Sequence, residues 1–375
     1  MATFKTWIEI SKSTVAANVA TFRALVAPTT RIWAVAKSNA YGHGFSAFSS
    51  AADAAGVDGF CVDSVPEALK LRSEGIAKPI LVLGPTLPNL FADAAAGKIT
   101  LSFSTAESLE QLVKVIPDPA ARPDIQIKID TGMQRRGFYL DALAEITRFC
   151  VAHQLRVTGV FSHFAAAKDM TYTTYSLKQL EQFEQAVTSI EKNGLRNFQK
   201  HIAATGGAMV SPEFHLDAVR IGIGLYGLFP SRELEMQRSQ DIKLQPALSW
   251  HAVVSEIKQV PKDEFIGYDL TERLTRDTRI AIIPIGYWHG LPWALSGIGQ
   301  VLIGGQRCKI LGRVSMDMIV VDVTDATCAV GDTATLIGRQ GSEQITAREI
   351  ASKINTSPYE IITRINPLIE RIVVE

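Results

Sequence analysis

Cysteine is scarce in this chain, with four residues in 375, at Cys61, Cys150, Cys308 and Cys328. No two are spaced as a Cys-x-x-Cys pair, so neither a disulfide-stapled small fold nor a cysteine zinc site is encoded, and no metal site is expected. Such usage fits a reducing compartment. Net charge is absent too, because 38 Lys+Arg offset 38 Asp+Glu. A neutral chain has no bulk electrostatic pull toward nucleic acid or an anionic membrane, which leaves room only for a local patch. No apolar segment follows Met1, since Glu9 and Lys12 interrupt at once. No signal peptide is therefore expected, and a cytoplasmic location is. The run Ile280 to Gln306 has no formal charge, but six glycines, two prolines and His289 break it. It reads as strands and turns near a binding site, not as a lipid-exposed helix. No internal repeat or low-complexity segment is visible.

What is present is an ordinary globular composition, 47% apolar and 20% charged, which excludes disorder and collagen-like structure. At roughly 150 residues per domain, the length predicts two domains, or a large barrel with a smaller module. Short β-rich runs alternate with helical patterns through the first two-thirds. The strands expected are Ile32–Ala36, Phe60–Asp63, Ile80–Leu83, Thr100–Phe103, Ile125–Ile129, Val157–Phe161, Lys200–Ala203 and Val219–Ile223. Val65–Glu74, Ala106–Val115, Leu140–Val151 and Leu177–Asn193 carry helical spacing. Eight such units in about 210 residues favour a closed (β/α)8 barrel of the TIM type over an open doubly wound sheet. No Gly-x-Gly-x-x-Gly follows the first strand, which counts against a dinucleotide site.

After about residue 235 the pattern changes to short alternating runs with turn residues. These are Ser249–Ile257, Arg279–Ile285, Gly299–Ile303, Met318–Val323 and Thr333–Ile337, with only Thr346–Ile354 and Pro358–Ile365 helical. The expected organisation is a barrel over 11–234 and a mostly β domain over 235–375, with the boundary near Pro230–Glu233. Thr6–Ile10 alternates like a strand, and residues 1–10 are assigned to the β domain, although pairing with the barrel stays open.

Chemistry concentrates in Val35-Ala36-Lys37-Ser38-Asn39-Ala40-Tyr41-Gly42-His43-Gly44. Lys37 ends a buried strand, where a barrel places its active site. Burial disfavours the charged amine and frees it to condense with an aldehyde. A lysine snorkelling at a strand end explains the position alone equally well. The glycine-rich loop behind it, with its Tyr and His, favours a site.

That segment resembles the pyridoxal-phosphate attachment segment of bacterial alanine racemases. The resemblance runs along nearly the whole chain. Thr6-Trp7-Ile8-Glu9-Ile10 looks like the family's opening strand, and Lys128-Ile129-Asp130-Thr131-Gly132-Met133-Gln134-Arg135 like its fifth-strand motif. Ser162-His163-Phe164-Ala165, His201-Ile202-Ala203-Ala204-Thr205 and Arg220-Ile221-Gly222-Ile223-Gly224-Leu225-Tyr226-Gly227 follow in the family's order. So do Pro284-Ile285-Gly286-Tyr287, Gly312-Arg313-Val314-Ser315-Met316-Asp317 and Tyr359-Glu360. The resemblance implies a homodimeric racemase interconverting L- and D-alanine, with D-alanine destined for peptidoglycan.

Its residue roles can be weighed one at a time. Barrels commonly bind phosphate through the loops after strands seven and eight. Gly222 and Ile223 would offer backbone N–H groups there, joined by the Thr205 hydroxyl; close strand–helix packing is the plainer explanation of those glycines. By resemblance Tyr41 and Tyr359 also reach the phosphate, Arg220 faces the pyridine nitrogen, and His201 supports Arg220. A guanidinium cannot accept the pyridine proton at neutral pH, so the ring stays a weak electron sink, which suits simple proton exchange at Cα. The resemblance makes Lys37 the base on one face of Cα and Tyr268 of the partner subunit the base on the other, near His163. Without it, His163 and His201 read as core histidines and Tyr268 as a turn aromatic. Arg135 is implied as the substrate carboxylate ligand, with Arg136 a competitor. Carbamylation of Lys128, which some members manage without, would give Arg135 an anionic partner. Met316 would add a backbone N–H from the partner subunit, and Asp317 would order that loop.

Three positions depart from the family pattern. Ala204 stands where asparagine is usual, so one polar contact near the cofactor is expected to be lost. Trp288-His289 replaces Ala-Asp in Gly-Tyr-Ala-Asp-Gly, which bears on substrate preference and access. Asp269 follows Tyr268 where glycine is usual; it is expected to point away from the phenol, since a facing carboxylate would weaken the base. Two rival readings stay open. One is another enzyme on this scaffold, such as a serine or broader racemase; a decarboxylase would carry an acidic residue in place of Arg220. The other is a pyridoxal-phosphate carrier without turnover, which has no use for the Tyr268 and Met316 motifs.

Overall fold

The computed structural model describes residues 4–375. Its elements begin with β1 (Thr6–Ser11), followed by β2 (Arg31–Val35), β3 (Gly59–Val62), β4 (Ile80–Val82), β5 (Ile99–Phe103), β6 (Ile125–Lys128), β7 (Val157–Phe161), β8 (Gln199–His201) and β9 (Ala218–Ile221). Strands β2 to β9 form one eight-stranded parallel sheet in the order β8-β7-β6-β5-β4-β3-β2-β9. The sheet all but closes on itself. The Arg220 N–H donates to Ala203 O at 3.0 Å and the Asp217 N–H to Lys200 O at 3.1 Å, and a bridge joins Ala204 to Arg220. The expected barrel is thus present, each strand within two residues of its expected start. The reason is burial: β3 and β4 are buried at every position, as parallel strands covered on both faces must be.

Capping fixes the helices between them. Ser64 accepts the Glu67 N–H ahead of the helix Val65–Ser73, and Thr105 accepts the Ser108 N–H ahead of Ala106–Val115. The expected helix Leu140–Val151 divides into a 3-10 turn, Leu140–Ala142, and an α-helix, Leu143–Ala152. The expected helix from Leu177 starts a turn earlier, over Thr174–Lys192.

The chain divides into two compact units. One holds Ser13–Ala40 and Phe48–Gln245, hence the barrel; the other holds the residues up to Lys12, Tyr41–Ala47 and Pro246–Glu375. Within the second unit a large sheet runs Glu256–Val260, Thr278–Ile283, Ile319–Asp322, Gln306–Leu311, Gln300–Ile303, Thr333–Gln340, Leu248–Val253, β1, Glu370–Val374. β1 lies antiparallel to Leu248–Val253 and parallel to Glu370–Val374.

The single run expected over Ser249–Ile257 is two strands. At the break the Val254 N–H donates to Asp332 O and the Ser255 N–H to Ile282 O. The chain there exchanges one sheet neighbour, Thr333–Gln340, for another, Thr278–Ile283. Strands that were not expected include Gln306–Leu311 and Glu370–Val374, and the shorter Phe265–Ile266, Glu272–Arg273 and Glu343–Ile345. The uncharged run Ile280–Gln306 does consist of strand ends and 3-10 turns. Among the described residues no helix is long and apolar enough to cross a membrane.

Candidate active site

Lys37 follows β2 after one intervening residue, Ala36. The Ala36 N–H donates to Cys61 O at 2.8 Å, and the buried Tyr226 hydroxyl donates to Val35 O at 2.8 Å, so the strand end is braced from two sides. Beyond Lys37 the backbone makes a left-handed helical turn. Ser38, Asn39, Ala40 and Tyr41 have φ of 56°, 55°, 51° and 52°, and none is glycine. Each such residue costs roughly 1–2 kcal/mol, so four together store on the order of 4–8 kcal/mol that surrounding contacts must offset. Nothing in Ser-Asn-Ala-Tyr itself announces this conformation.

Arg220, at the barrel strand β9, is fully enclosed. Its guanidinium donates to His201 Nδ1 at 2.5 Å, Ser162 O at 2.7 Å, Ile202 O at 3.0 Å and His163 Nδ1 at 3.2 Å. A guanidinium has only donors, so both histidines accept through Nδ1. His201 then carries its proton on Nε2 and donates it to Gln126 Oε1 at 2.8 Å. Phe161 stacks on the His201 ring at 5.1 Å and lies 5.3 Å from the Arg220 guanidinium. Burial, then the Arg220 charge, holds both histidines well below the usual imidazole range, so they are neutral at pH 7. Burial also pulls Arg220 down to about 10, which leaves it charged. Gln126 was not foreseen. A buried glutamine two residues before Lys128 on one strand was the available signal, since such pairs share a face.

Cations converge here. Lys37, Lys128, Arg135 and Arg220 all bear electrostatically on His163. Lys128, at the end of β6, is buried beside Arg220, Arg135 and Arg136, and burial with these charges lowers its amine to about 7 against the partial opposition of Asp130. Asp130 organises the next loop. It accepts N–H bonds from Gly132 and Gln134 on one oxygen and from Arg135 on the other, at 2.9, 3.1 and 2.9 Å, and these bonds keep its carboxyl below the usual range despite desolvation. Its role was also missed, although an aspartate opening a Gly-containing loop is a turn signal. The two arginines of this loop differ. Arg136 is spent on Leu83 O at 2.7 Å and Ser104 Oγ at 3.3 Å, whereas the Arg135 side chain is exposed.

Thr205, Gly222 and Ile223 lie together. The Thr205 hydroxyl accepts the Gly222 N–H at 3.1 Å and the Gly224 N–H at 3.3 Å, which leaves its own proton to donate. Gly224 can only be glycine, because a Cβ there would stand 2.4 Å from the Phe22 ring. Ala204 precedes the short helix Thr205–Val210 without any side-chain cap, as its lack of a polar group requires.

The other expected residues belong to the second unit. The Tyr41 and Tyr359 rings lie 6.0 Å apart, and burial with its neighbour Tyr41 pushes the Tyr359 phenol up. The loop between them is tightly held: a Cβ on Gly42 would stand 1.9 Å from Ile362 O, and Arg371 donates to Gly42 O at 3.0 Å. Tyr268 opens a 3-10 turn and is 68% exposed. Asp269 pairs with Arg313 at 3.5 Å. Met316 is exposed on a loop whose Ser315 and Met316 carbonyls accept the Tyr287 and Trp288 N–H groups. Asp317 bears on His289, whose pKa burial lowers more than Asp317 raises it. His289 folds back to accept the Gly286 N–H on Nδ1 at 3.1 Å, while Trp288 is 59% exposed. The Trp288-His289 departure therefore adds one exposed ring and one turn cap.

The barrel-mouth donor set fits an anionic group carrying an aldehyde. An amine past a strand end, a hydroxyl with its own proton left to donate and several cations around a neutral imidazole suit pyridoxal phosphate and a carboxylate substrate.

Two family models match. "Alanine racemase, N-terminal domain" covers residues 10–230 and "Alanine racemase, C-terminal domain" covers 247–373. A relative named alanine racemase from Leptospira interrogans is 36% identical over 383 aligned positions, covering 100% of this chain and 97% of that protein. Among solved structures, alanine racemase from Bacillus anthracis with bound L-Ala-P superposes with a TM-score of 0.93 at 35% identity, covering 100% of this chain and 96% of that one. A histidine racemase from Leuconostoc mesenteroides gives 0.91 at 31% identity, covering 100% and 99%.

Proposed function

The chain belongs to the alanine racemase family, and on that premise we propose that it is a pyridoxal-phosphate-dependent racemase interconverting L- and D-alanine, working as a homodimer. The observation that carries this reading is the Arg220 guanidinium held between His201 and His163, on the strand that pairs with the one leading to Lys37. When bound, pyridoxal phosphate supplies an aldehyde for amines and a ring that acidifies the substrate Cα–H.

The chain's own residues do the rest. Lys37 would hold the cofactor, and its amine would take or give the proton on one face of Cα. Tyr268 of the partner subunit serves the other face, and a shared pair of equivalent sites follows from two-fold symmetry. The Thr205 hydroxyl, aimed by the Gly222 N–H that it accepts, would bind the phosphate together with the Ile223 N–H, Tyr41 and Tyr359. His201 with Gln126 fixes the orientation of Arg220, and a guanidinium facing the pyridine nitrogen would leave that nitrogen unprotonated, since it has only donors. His163 lines the cofactor as a neutral ring. Arg135 binds the substrate carboxylate with the Met316 backbone N–H of the partner subunit, and Asp317 orders the Met316 loop. Lys128, at about 7, has an uncharged fraction at neutral pH able to add carbon dioxide. The resulting carbamate would balance Arg135. D-Alanine would then be available for peptidoglycan.

A second reading, a wider or different substrate range, is favoured by the similarity to a histidine racemase and by the exposed Trp288. Small pockets also separate serine from alanine poorly. Purified protein loaded with pyridoxal phosphate should develop a bound-cofactor absorbance band and convert L-alanine to a racemic mixture. Faster conversion of L-serine or L-histidine than of L-alanine would move the assignment to the second reading.

A further inference from the structure

We propose that Glu67 is a positioning residue for Lys37: its carboxylate grips the peptide bond that follows Lys37 and holds the left-handed turn against the barrel mouth. This rests on the reading that Lys37 captures the cofactor.

The turn cannot hold itself. Four consecutive residues have left-handed φ without a glycine among them. The bond from the Ala40 N–H to Ala36 O at 2.9 Å closes the turn on itself but does not tie it to a neighbouring element. The anchor comes from the helix Val65–Ser73. Glu67 Oε1 accepts the Ser38 N–H at 2.7 Å, and Oε2 accepts the Asp63 N–H at 2.8 Å. The Ser38 N–H belongs to the peptide bond that Lys37 starts, so the carboxylate fixes the plane from which the lysine side chain departs. The Asp63 end is itself immobilised. Asp63 O accepts the Gly84 N–H at 3.0 Å, and a Cβ on Gly84 would stand 2.2 Å from that oxygen.

The local helix signal does not account for this geometry. In a capping box, the glutamate in the first turn reaches back to the N-cap residue's own N–H. Ser64 is that cap here, and it accepts the Glu67 N–H at 3.4 Å. The Glu67 side chain instead passes Ser64, takes the Asp63 N–H, and keeps its second oxygen for Ser38. A carboxylate is the side chain suited to this, with two acceptor oxygens and no donor. Glutamine keeps one acceptor and turns an NH2 toward the other N–H. The contacts join the ends of β2 and β3 through one charged group, next to the amine whose placement sets its reactivity.

The test separates placement of the amine from integrity of the phosphate and ring cradle. Full-length apoprotein, unaltered and Glu67→Gln, is mixed with pyridoxal phosphate. The absorbance change is followed as the aldehyde carbon bonds to the Lys37 nitrogen and its oxygen leaves as water. Pyridoxamine phosphate, which has the same ring and phosphate but no aldehyde, is titrated in parallel. Because a displacement of about 1 Å at a reacting group can cost about a hundredfold, we expect capture by Glu67→Gln to slow at least about tenfold while pyridoxamine phosphate affinity stays within about twofold. Equal losses in both measurements would assign Glu67 to the general cradle and overturn the proposal, as would an unchanged capture rate. Failure of the unaltered protein to capture the aldehyde would instead remove the reading of Lys37. If Glu67→Gln does not fold, amide hydrogen exchange on the unaltered protein decides. Slow exchange at Ser38 and Asp63 supports the grip, and exchange at the rate of open loops contradicts it.

Discussion

At the barrel mouth Arg220 directs its donors at His201, His163, Ser162 and Ile202, with Phe161 packed beside it. In the second unit Tyr268, Trp288, Trp293 and Met316 each leave more than half of their surface uncovered. Both regions carry residues expected to act in the reaction, but they are prepared differently. The mouth is satisfied by its own unit, and its geometry is fixed by hydrogen bonds to groups that cannot move far. The loops around Tyr268 and Met316 are fixed in backbone, through bonds such as Trp288 N–H to Met316 O at 3.0 Å, while their large side chains are left mostly exposed. Exposed aromatic and methionine side chains on one set of loops are what an interface core requires. The proposed homodimer would give the exposed Tyr268 and Met316 loops a second copy to pack against.

Five changes would break or sharpen that contrast. Lys37→Ala should abolish the bound-cofactor absorbance and lower racemisation by at least about a thousandfold, within the range for losing a general base. Retained absorbance would contradict its role. Arg220→Met should cost at least about 3 kcal/mol of stability, because each buried acceptor left without a donor costs roughly 1–3 kcal/mol. Chemical denaturation of the apoprotein measures it, and a loss under about 1 kcal/mol would show that the network is not the mouth's frame. Tyr268→Phe should leave stability within about 0.5 kcal/mol, as befits an exposed side chain. It should nonetheless slow Cα proton exchange from one enantiomer more than from the other; equal slowing of both would deny it a single face.

The fourth change concerns pH. Lys128 titrates at about 7 in the fold against 10.5 when free. Between those values the unfolded chain binds more protons, so stability rises with pH. The penalty of the buried amine is full below pH 7 and gone above 10.5. Lys128→Met should flatten that rise in carbonate-free buffer, and an unchanged slope would locate its cause elsewhere. The smallest effect is expected from Asp269→Gly. Asp269 pairs with Arg313 at 3.5 Å and is largely exposed, so the acidic limb of the racemisation profile should not move. A shift that appears on removing Asp269 would mean that its charge reaches the Tyr268 phenol.

The sequence carried some of this plainly and some not at all. The barrel strands were legible because parallel strands buried on both faces are continuous apolar runs. The strand Gln306–Leu311 was not, because Arg307 and Lys309 point outward and break the run, and its identity depends on pairing with Gln300–Ile303. The left-handed turn at Ser38–Tyr41 was hidden for a related reason. Ser-Asn-Ala-Tyr has no glycine to announce it, and its conformation is imposed by contacts distant in sequence, among them Glu67. The family resemblance named the residue types proposed for the site, and the structure adds only that Arg136 is bonded to Leu83 and Ser104 while Arg135 is exposed. Gln126 and Asp130 were not, since their work is to hold other residues, which no motif at their own positions records.

The most direct measurement is chiral and isotopic analysis of L-alanine incubated in D2O with the protein loaded with pyridoxal phosphate, with L-serine and L-histidine in parallel. The account expects D-alanine carrying deuterium at Cα. Unlabelled L-alanine recovered intact, beside an undiminished bound-cofactor absorbance, would contradict it.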